Sequence, residues 1–236
     1  MIDNLIKKYY DFISRFGLSS FQLKVIAIIT MTIDHTGITL LRGTQYYDIC
    51  RNIGRLAFPI FCFLITEGFT KTRDVKKYAL RLFIFACISE IPFNYMLDGR
   101  WFSFKHQNVF FTLLLGLLLI WWYSYFNLKN RYYIALAGVP AFMAAAYLLK
   151  TDYSWWGVML IFLFYAFKDK LLYAAGFTGA SMLLYGGREK YAVFSLVPIM
   201  LYNGKKGHSI KYFFYAYYPL HIIILCVLRY YIRYHH

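Results

Sequence analysis

Acidic residues are scarce in this chain. Only 11 Asp and Glu stand among 236 residues, against 26 Lys and Arg, for a formal net charge of +15. Charged residues of both signs make up 16%, below the roughly 25% of soluble domains. Cysteine is rarer still. Cys50, Cys62, Cys87 and Cys226 are scattered and form no Cys-x-x-Cys pair, which excludes a disulfide scaffold and leaves them as reduced, small apolar residues. There are five prolines, no low-complexity linker and no internal repeat. The first 18 residues lack the short apolar core and small-residue cleavage site of a secretory signal, so no cleavable leader is expected. No Walker loop, His-Glu-x-x-His, dinucleotide fingerprint or Gly-x-Ser-x-Gly elbow occurs. No His/Cys cluster has zinc-ligand spacing either, so no metal is expected. ATPase, zinc-protease and redox chemistry therefore have no support.

What the chain has in quantity is apolar and aromatic surface, at 60% and 22% of residues. That excludes a disordered chain, which needs low hydrophobicity. The basic excess does not mark a nucleic-acid binder, because Lys and Arg are dealt out singly and in pairs rather than gathered on one face. They fall between apolar blocks that recur at membrane-span length, about 20 residues for a ~30 Å hydrocarbon core. Spans are expected near 20–41, 54–70, 77–97, 108–126, 132–149, 154–167, 171–186, 190–203 and 210–231. The expected fold is an all-α polytopic transmembrane bundle of nine or ten spans, one domain over residues 1–236. Runs such as residues 113–119 (LLLGLLL) do not alternate as a barrel strand must.

The loop charges set an orientation. With the N-terminus inside, 14 basic residues fall on the inner side and 9 on the outer. The positive-inside rule then places the N-terminus on the cytoplasmic side of its membrane. Residues 1–18 are basic and amphipathic, as in a helix lying on the inner surface.

Ionisable groups inside a span are costly and mark function by default. The first span carries Asp34 and His35 near its middle and Lys24 eleven residues before His35. Eleven steps of ~100° return to the same helix face, about 16 Å away. A basic residue at the mouth with an imidazole at depth suits an anionic ligand reaching inward. The plainer alternative is that Lys24 snorkels while Asp34 and His35 make structural hydrogen bonds. Arg51 and Arg55 are four apart, hence on one face, where two guanidinium forks can hold a phosphate or carboxylate, or simply an internal acid. Pro59 is expected to kink its span and Pro92 to break the next one. Glu67, Glu90 and Arg81 complete an internal charge network with Asp34, Arg55 and His35. Asn94, Asn108, Thr112 and Tyr215 are further polar candidates inside or at the ends of spans, and His221 stands alone in an aromatic wall. Asp152 is a weaker signal at a span entrance.

Several of these segments resemble the TraX family. Residues 23–37 (LKVIAIITMTIDHTG), 54–61 (GRLAFPIF), 67–72 (EGFTKT) and 78–82 (YALRL) carry the likeness in the first half. Residues 89–94 (SEIPFN), 108–116 (NVFFTLLLG) and 213–221 (FFYAYYPLH) extend it. Residues 128–205 are similar mainly in hydropathy. The family is known for acetylating the N-terminus of conjugative pilin. It is related to wider membrane acyltransferases that use a basic residue and a His eleven positions later, a spacing that Lys24 and His35 share.

The resemblance implies an acetyl-CoA-dependent acyltransferase. Lys24, with Arg55 or Arg51, would meet the donor, and His35 would act as base or acyl carrier with Asp34 beside it. Asn94, Asn108, Thr112 or Tyr215 would donate to the oxyanion. The acceptor is an amine or hydroxyl, on a peptide or pilin-like protein, at the membrane lipid and not on nucleic acid. Two other classes stay open on the residues alone. A proton-coupled transporter also uses buried Asp, Glu, His and Arg. A structural membrane scaffold needs none of them.

Overall fold

In the computed structural model, which describes residues 2–208 and 211–235, the first long apolar helix begins where a serine satisfies its free amides. Ser19 accepts from the Gln22 amide while the Gln22 side chain accepts from the Ser19 amide. That reciprocal box closes two of the amide donors a helix start leaves unpaired. Before it comes α1 (Ile2–Phe16), whose Tyr9 hydroxyl donates to the Met200 carbonyl at 2.6 Å. The helices that follow are α2 (Ser20–Leu40), α3 (Tyr47–Gly54), α4 (Ala57–Lys71), α5 (Val75–Asp98), α6 (Val109–Leu128), α7 (Tyr132–Leu148), α8 (Ser154–Ala166) and α9 (Leu171–Tyr185). A 3-10 helix (Gly187–Ser195) leads into α10 (Leu196–Met200), and α11 (Lys211–His235) ends the chain. Among the described residues there is no β-strand; the architecture is an all-α bundle.

Among the described residues, five helical stretches are long and apolar enough to cross a membrane: α2, the α3–α4 pair (Tyr47–Lys71), α5, α6 and residues 212–233 of α11. Three shorter apolar helices, α7, α8 and α9, stand among them. The 13 residues of α8 reach only about 20 Å. The segment expected as a span at 190–203 crosses in another form. Its start holds Arg55 through Glu189, and its end meets Ser20, Glu67 and Lys71 through Tyr202. The nine-residue 3-10 helix, rising ~2 Å per residue, covers most of that distance. Among the described residues the chain thus passes nine times between two ends. One end gathers Ser20, Lys71 and Lys205 (the Lys24 end); the other gathers Asp48, Arg55 and Glu189.

The prolines behave differently from one another. Pro59 lies in the first turn of α4 and has no N–H to give to the Arg55 carbonyl. The helix breaks there, with Arg55 and Leu56 making tighter bonds to Asn52 and Ile53. Pro92 does not break its helix: α5 runs on to Asp98 and stops at Gly99, where φ is +67°. Neighbouring helices hold Pro92 buried, and a span tolerates a proline under such support.

The centre is packed by Phe58, Trp156, Phe164, Leu117 and Ile161, all nearly fully buried. Without a hydrophobic force between helices in lipid, close approach depends on small residues. A Cβ at Gly116 would lie 2.2 Å from Ile161 Cδ1, and one at Gly157 would lie 2.6 Å from Thr112 Cγ2. These two glycines let α6 and α8 meet.

Candidate functional site

α2 and α11 pack together and bring two histidines into line. His35 Nδ1 lies 2.7 Å from His221 Nε2, and His221 Nδ1 lies 2.8 Å from the Tyr217 carbonyl. A carbonyl only accepts, so His221 carries its proton on Nδ1. Its Nε2 then accepts, and His35 must donate from Nδ1. The free lone pair of His35 is thereby on Nε2, and no hydrogen bond among the described residues engages that nitrogen. The two rings are nearly coplanar, 4° apart, and Tyr218 packs edge-on against both. The Tyr217 hydroxyl and Thr32, 2.7 Å apart, fix the α2–α11 register.

Two cavities meet near this pair. The larger, about 300 Å³, lies toward the Lys24 end. Lys24, Lys71, Arg81, Lys206 and His208 line it, with an apolar wall and no acid. The Lys24 ammonium sits over the Phe214 ring at 5.4 Å. Arg81 faces Tyr215 and Tyr78, and its Nε has no hydrogen-bond partner among the described residues. The smaller cavity, about 100 Å³, lies toward the other end and is lined by His35, Asp34, Arg51, Arg55, Asp152 and Tyr153, among others. Met31, Phe61, Val109 and Tyr218 line both. Because α2 is unbroken, Lys24 and His35 keep their spacing of about 16 Å, one residue on each cavity.

Asp34 does not touch His35. Adjacent helical side chains diverge by ~100°, and Asp34 turns to α3 instead. Its Oδ2 accepts from Arg51 at 2.6 Å and from Arg55 at 2.8 Å, and Arg55 also donates to Glu189 at 2.9 Å. Asp34 packs directly on Gly54, where a Cβ would come within 2.2 Å of it. Arg51 and Arg55 are therefore spent on internal carboxylates, at the end away from Lys24.

The remaining candidates separate. Glu67 belongs to the Lys24 end, 2.7 Å from Lys71 and 2.8 Å from the Tyr202 hydroxyl. Asn108 caps α6: its Oδ1 accepts from the Phe110 amide, while Nδ2 donates to the Ala86 carbonyl and to Glu90. With both amide protons engaged, it has none left for an oxyanion. Asn94 is buried beside Glu90, and the Thr112 hydroxyl accepts from the Tyr153 amide at 3.5 Å. Asn94, Asn108 and Thr112 line neither cavity, whereas Tyr215 lines the larger one.

Three residues carry more than their sequence context signalled. Tyr218 sits where the cavities join, and only its aromatic surroundings hinted at a pocket. Glu189 completes the arginine cluster from a stretch with no motif. Asp152, in the turn before α8, opens onto the smaller cavity. The protein crowded around it pushes its carboxyl up to about 6, with Arg55 opposing that rise.

The chain matches the family model described as TraX protein over residues 19–229. It is 32% identical over 236 residues to the "Probable fimbrial assembly protein FimC, serogroup H1" of Dichelobacter nodosus, covering 88% of this chain and 94% of that protein. It is also 32% identical over 101 residues to the "Uncharacterized protein RP591" of Rickettsia prowazekii (strain Madrid E), covering 43% of this chain and 36% of that one. No solved structure matches. With the match running across α2 to α11, this membrane chain belongs to the TraX family.

Proposed function

We propose that the protein is an integral membrane acetyltransferase, taking the acetyl group of acetyl-CoA and giving it to an amine or hydroxyl acceptor. The observation that carries this is the His35 tautomer. A hydrogen-bonded chain from the Tyr217 carbonyl through His221 leaves His35 Nε2 unprotonated beside a cavity. Such a nitrogen suits a general base.

The donor's phosphates meet Lys24, with Arg81 and Lys206 nearby, at the mouth of the larger cavity. That cavity, basic at its rim and apolar within, accepts the pantetheine arm and leads it toward His35. For an amine acceptor, the nitrogen lone pair attacks the thioester carbonyl carbon. A C–N bond forms and the C–S bond breaks. The proton released from nitrogen passes to His35 Nε2 and then to the departing thiolate, giving free CoA. An acetyl-His35 intermediate requires the same nitrogen. The loop charges favour Lys24 and the N-terminus on the cytoplasmic side, and the family membership favours a bacterial cytoplasmic membrane. The named relative is a fimbrial assembly protein, which favours a fimbrial or pilus subunit as acceptor.

The test is direct. Acetyl-CoA is expected to raise the melting temperature of the purified protein, and His35→Ala to keep that shift while losing transfer. No shift at millimolar acetyl-CoA, or wild-type transfer by His35→Ala, removes the proposal.

A proton-coupled transporter is the second reading. Two cavities that share four lining residues beside a buried histidine pair favour it. It requires proton flux in liposomes without acetyl-CoA, and the absence of such flux dismisses it.

A further inference from the structure

Of the polar groups expected to receive an oxyanion, Asn94, Asn108 and Thr112 line neither cavity, and Tyr215 lines only the larger one, where it faces Arg81. Another hydroxyl stands where the cavities join. Tyr218 is 4% exposed, lines both cavities and packs edge-on against His35 with 5.8 Å between ring centres. Its hydroxyl oxygen faces the Val109 amide, and Val109 also lines both cavities. That amide is the first of α6, one of the donors a helix start leaves unpaired. The next one, of Phe110, is already taken by Asn108 Oδ1. A hydroxyl that accepts from Val109 keeps its own proton to give, and among the described residues nothing accepts it.

We propose that Tyr218 is a catalytic residue, its hydroxyl holding the acetyl carbonyl oxygen as negative charge develops on it. This rests on the acetyltransferase reading and names the group that stabilises its tetrahedral intermediate. The acceptor's lone pair forms a bond to the carbonyl carbon, and the C=O π pair moves onto the oxygen. The Tyr218 hydroxyl donates a hydrogen bond to that oxygen without giving up its proton. The pair then returns, the C=O bond re-forms and the C–S bond breaks. The thiolate leaves with the proton that His35 took from the acceptor. A hydrogen bond to a charged oxygen is about twice as strong as one to a neutral oxygen, so the hydroxyl favours the intermediate over the thioester. The Val109 amide polarises the hydroxyl and strengthens its donation. The N-terminal end of α6, a helix of 20 residues, favours negative charge within its first turn. His35 thus manages the proton and Tyr218 the charge on oxygen, from neighbouring rings.

The experiment binds acetyl-CoA, isotopically labelled at the thioester carbonyl, to the purified full chain and reads the carbonyl stretch by isotope-edited infrared spectroscopy. A donated hydrogen bond weakens the C=O bond and lowers its frequency. The wild-type complex is expected to absorb at lower frequency than the Tyr218→Phe complex. Tyr218→Phe is expected to keep the melting shift given by acetyl-CoA, which shows that it is folded and holds the donor, and to lose about 10²- to 10³-fold in kcat. Should Tyr218→Phe fail to fold, a ring-fluorinated tyrosine at position 218 keeps the shape with a more acidic hydroxyl and is expected to lower the frequency further. Equal frequencies in wild type and Tyr218→Phe, a frequency unmoved by fluorination, or wild-type kcat in Tyr218→Phe overturns the proposal. A wild-type protein with the acetyl-CoA melting shift but equal frequencies removes the role of Tyr218 alone. A wild-type protein with no such shift removes the acetyltransferase reading and this proposal with it.

Discussion

His35 Nδ1 donates to His221 Nε2 across 2.7 Å, joining the second helix of the chain to the last. Because His221 is itself anchored on the Tyr217 carbonyl, the contact decides which nitrogen of His35 is basic. In the proposed reaction His221 is thus a positioning residue. His35→Ala is expected to lower kcat by about 10²–10⁴, the usual worth of a general base.

His221→Ala is expected to cost about 10- to 100-fold in kcat with KM for acetyl-CoA little changed, since it removes one hydrogen bond from a group that becomes charged. His221→Asn offers an amide oxygen to His35 Nδ1 and is expected to recover part of the loss. The split between kcat and KM, and a displaced pH profile in His221→Ala, separate positioning from packing. An unaltered profile with uniformly lower yield of folded protein refutes it.

Gly54 and Asp34 give a stability prediction. A methyl at Gly54 falls 2.2 Å from Asp34 Cβ and forces the carboxylate away from Arg51 and Arg55. Gly54→Ala is expected to destabilise by about 1–3 kcal/mol. Asp34→Ala, which strands the Arg51 guanidinium and leaves Arg55 with Glu189 as its one carboxylate among the described residues, is expected to cost about 3–5 kcal/mol. Thermal unfolding of purified variants measures both, and a Gly54→Ala protein as stable as wild type contradicts the packing described.

Lys24 and Arg81 line the larger cavity, the proposed donor site. Lys24→Ala and Arg81→Ala are each expected to raise KM for acetyl-CoA about 10-fold, one lost charge-assisted bond apiece, with kcat less affected. The effect of Lys24→Ala is expected to shrink in high salt, because a half-buried charge is still partly screened. Titrations at two ionic strengths check this.

Hydropathy alone was enough to read a bundle and the ends of most of its helices, because a ~30 Å apolar solvent demands long apolar runs wherever the backbone crosses it. It misjudged form where length and neighbours compete. Residues 187–201 cross as a 3-10 helix leading into a short α-helix, and α5 continues through Pro92 because adjacent helices support it. The Lys24–His35 pairing was legible because both residues lie on one unbroken helix, where spacing fixes direction. Asp34, expected to act beside His35, turns instead to Arg51 and Arg55, because adjacent side chains on a helix diverge by ~100°.

The sequence by itself determined the helical class, the alternation of ends and the stripe bearing Lys24 and His35, all consequences of local periodicity and composition. Only the tertiary structure decided the partners. His221 is 186 residues from His35, and Glu189 is 134 residues from Arg55. Helix periodicity carries no information over such separations. Packing between helices chose the basic nitrogen of His35, spent Arg51 and Arg55 on Asp34 and Glu189, and left Asp152 as the open charge.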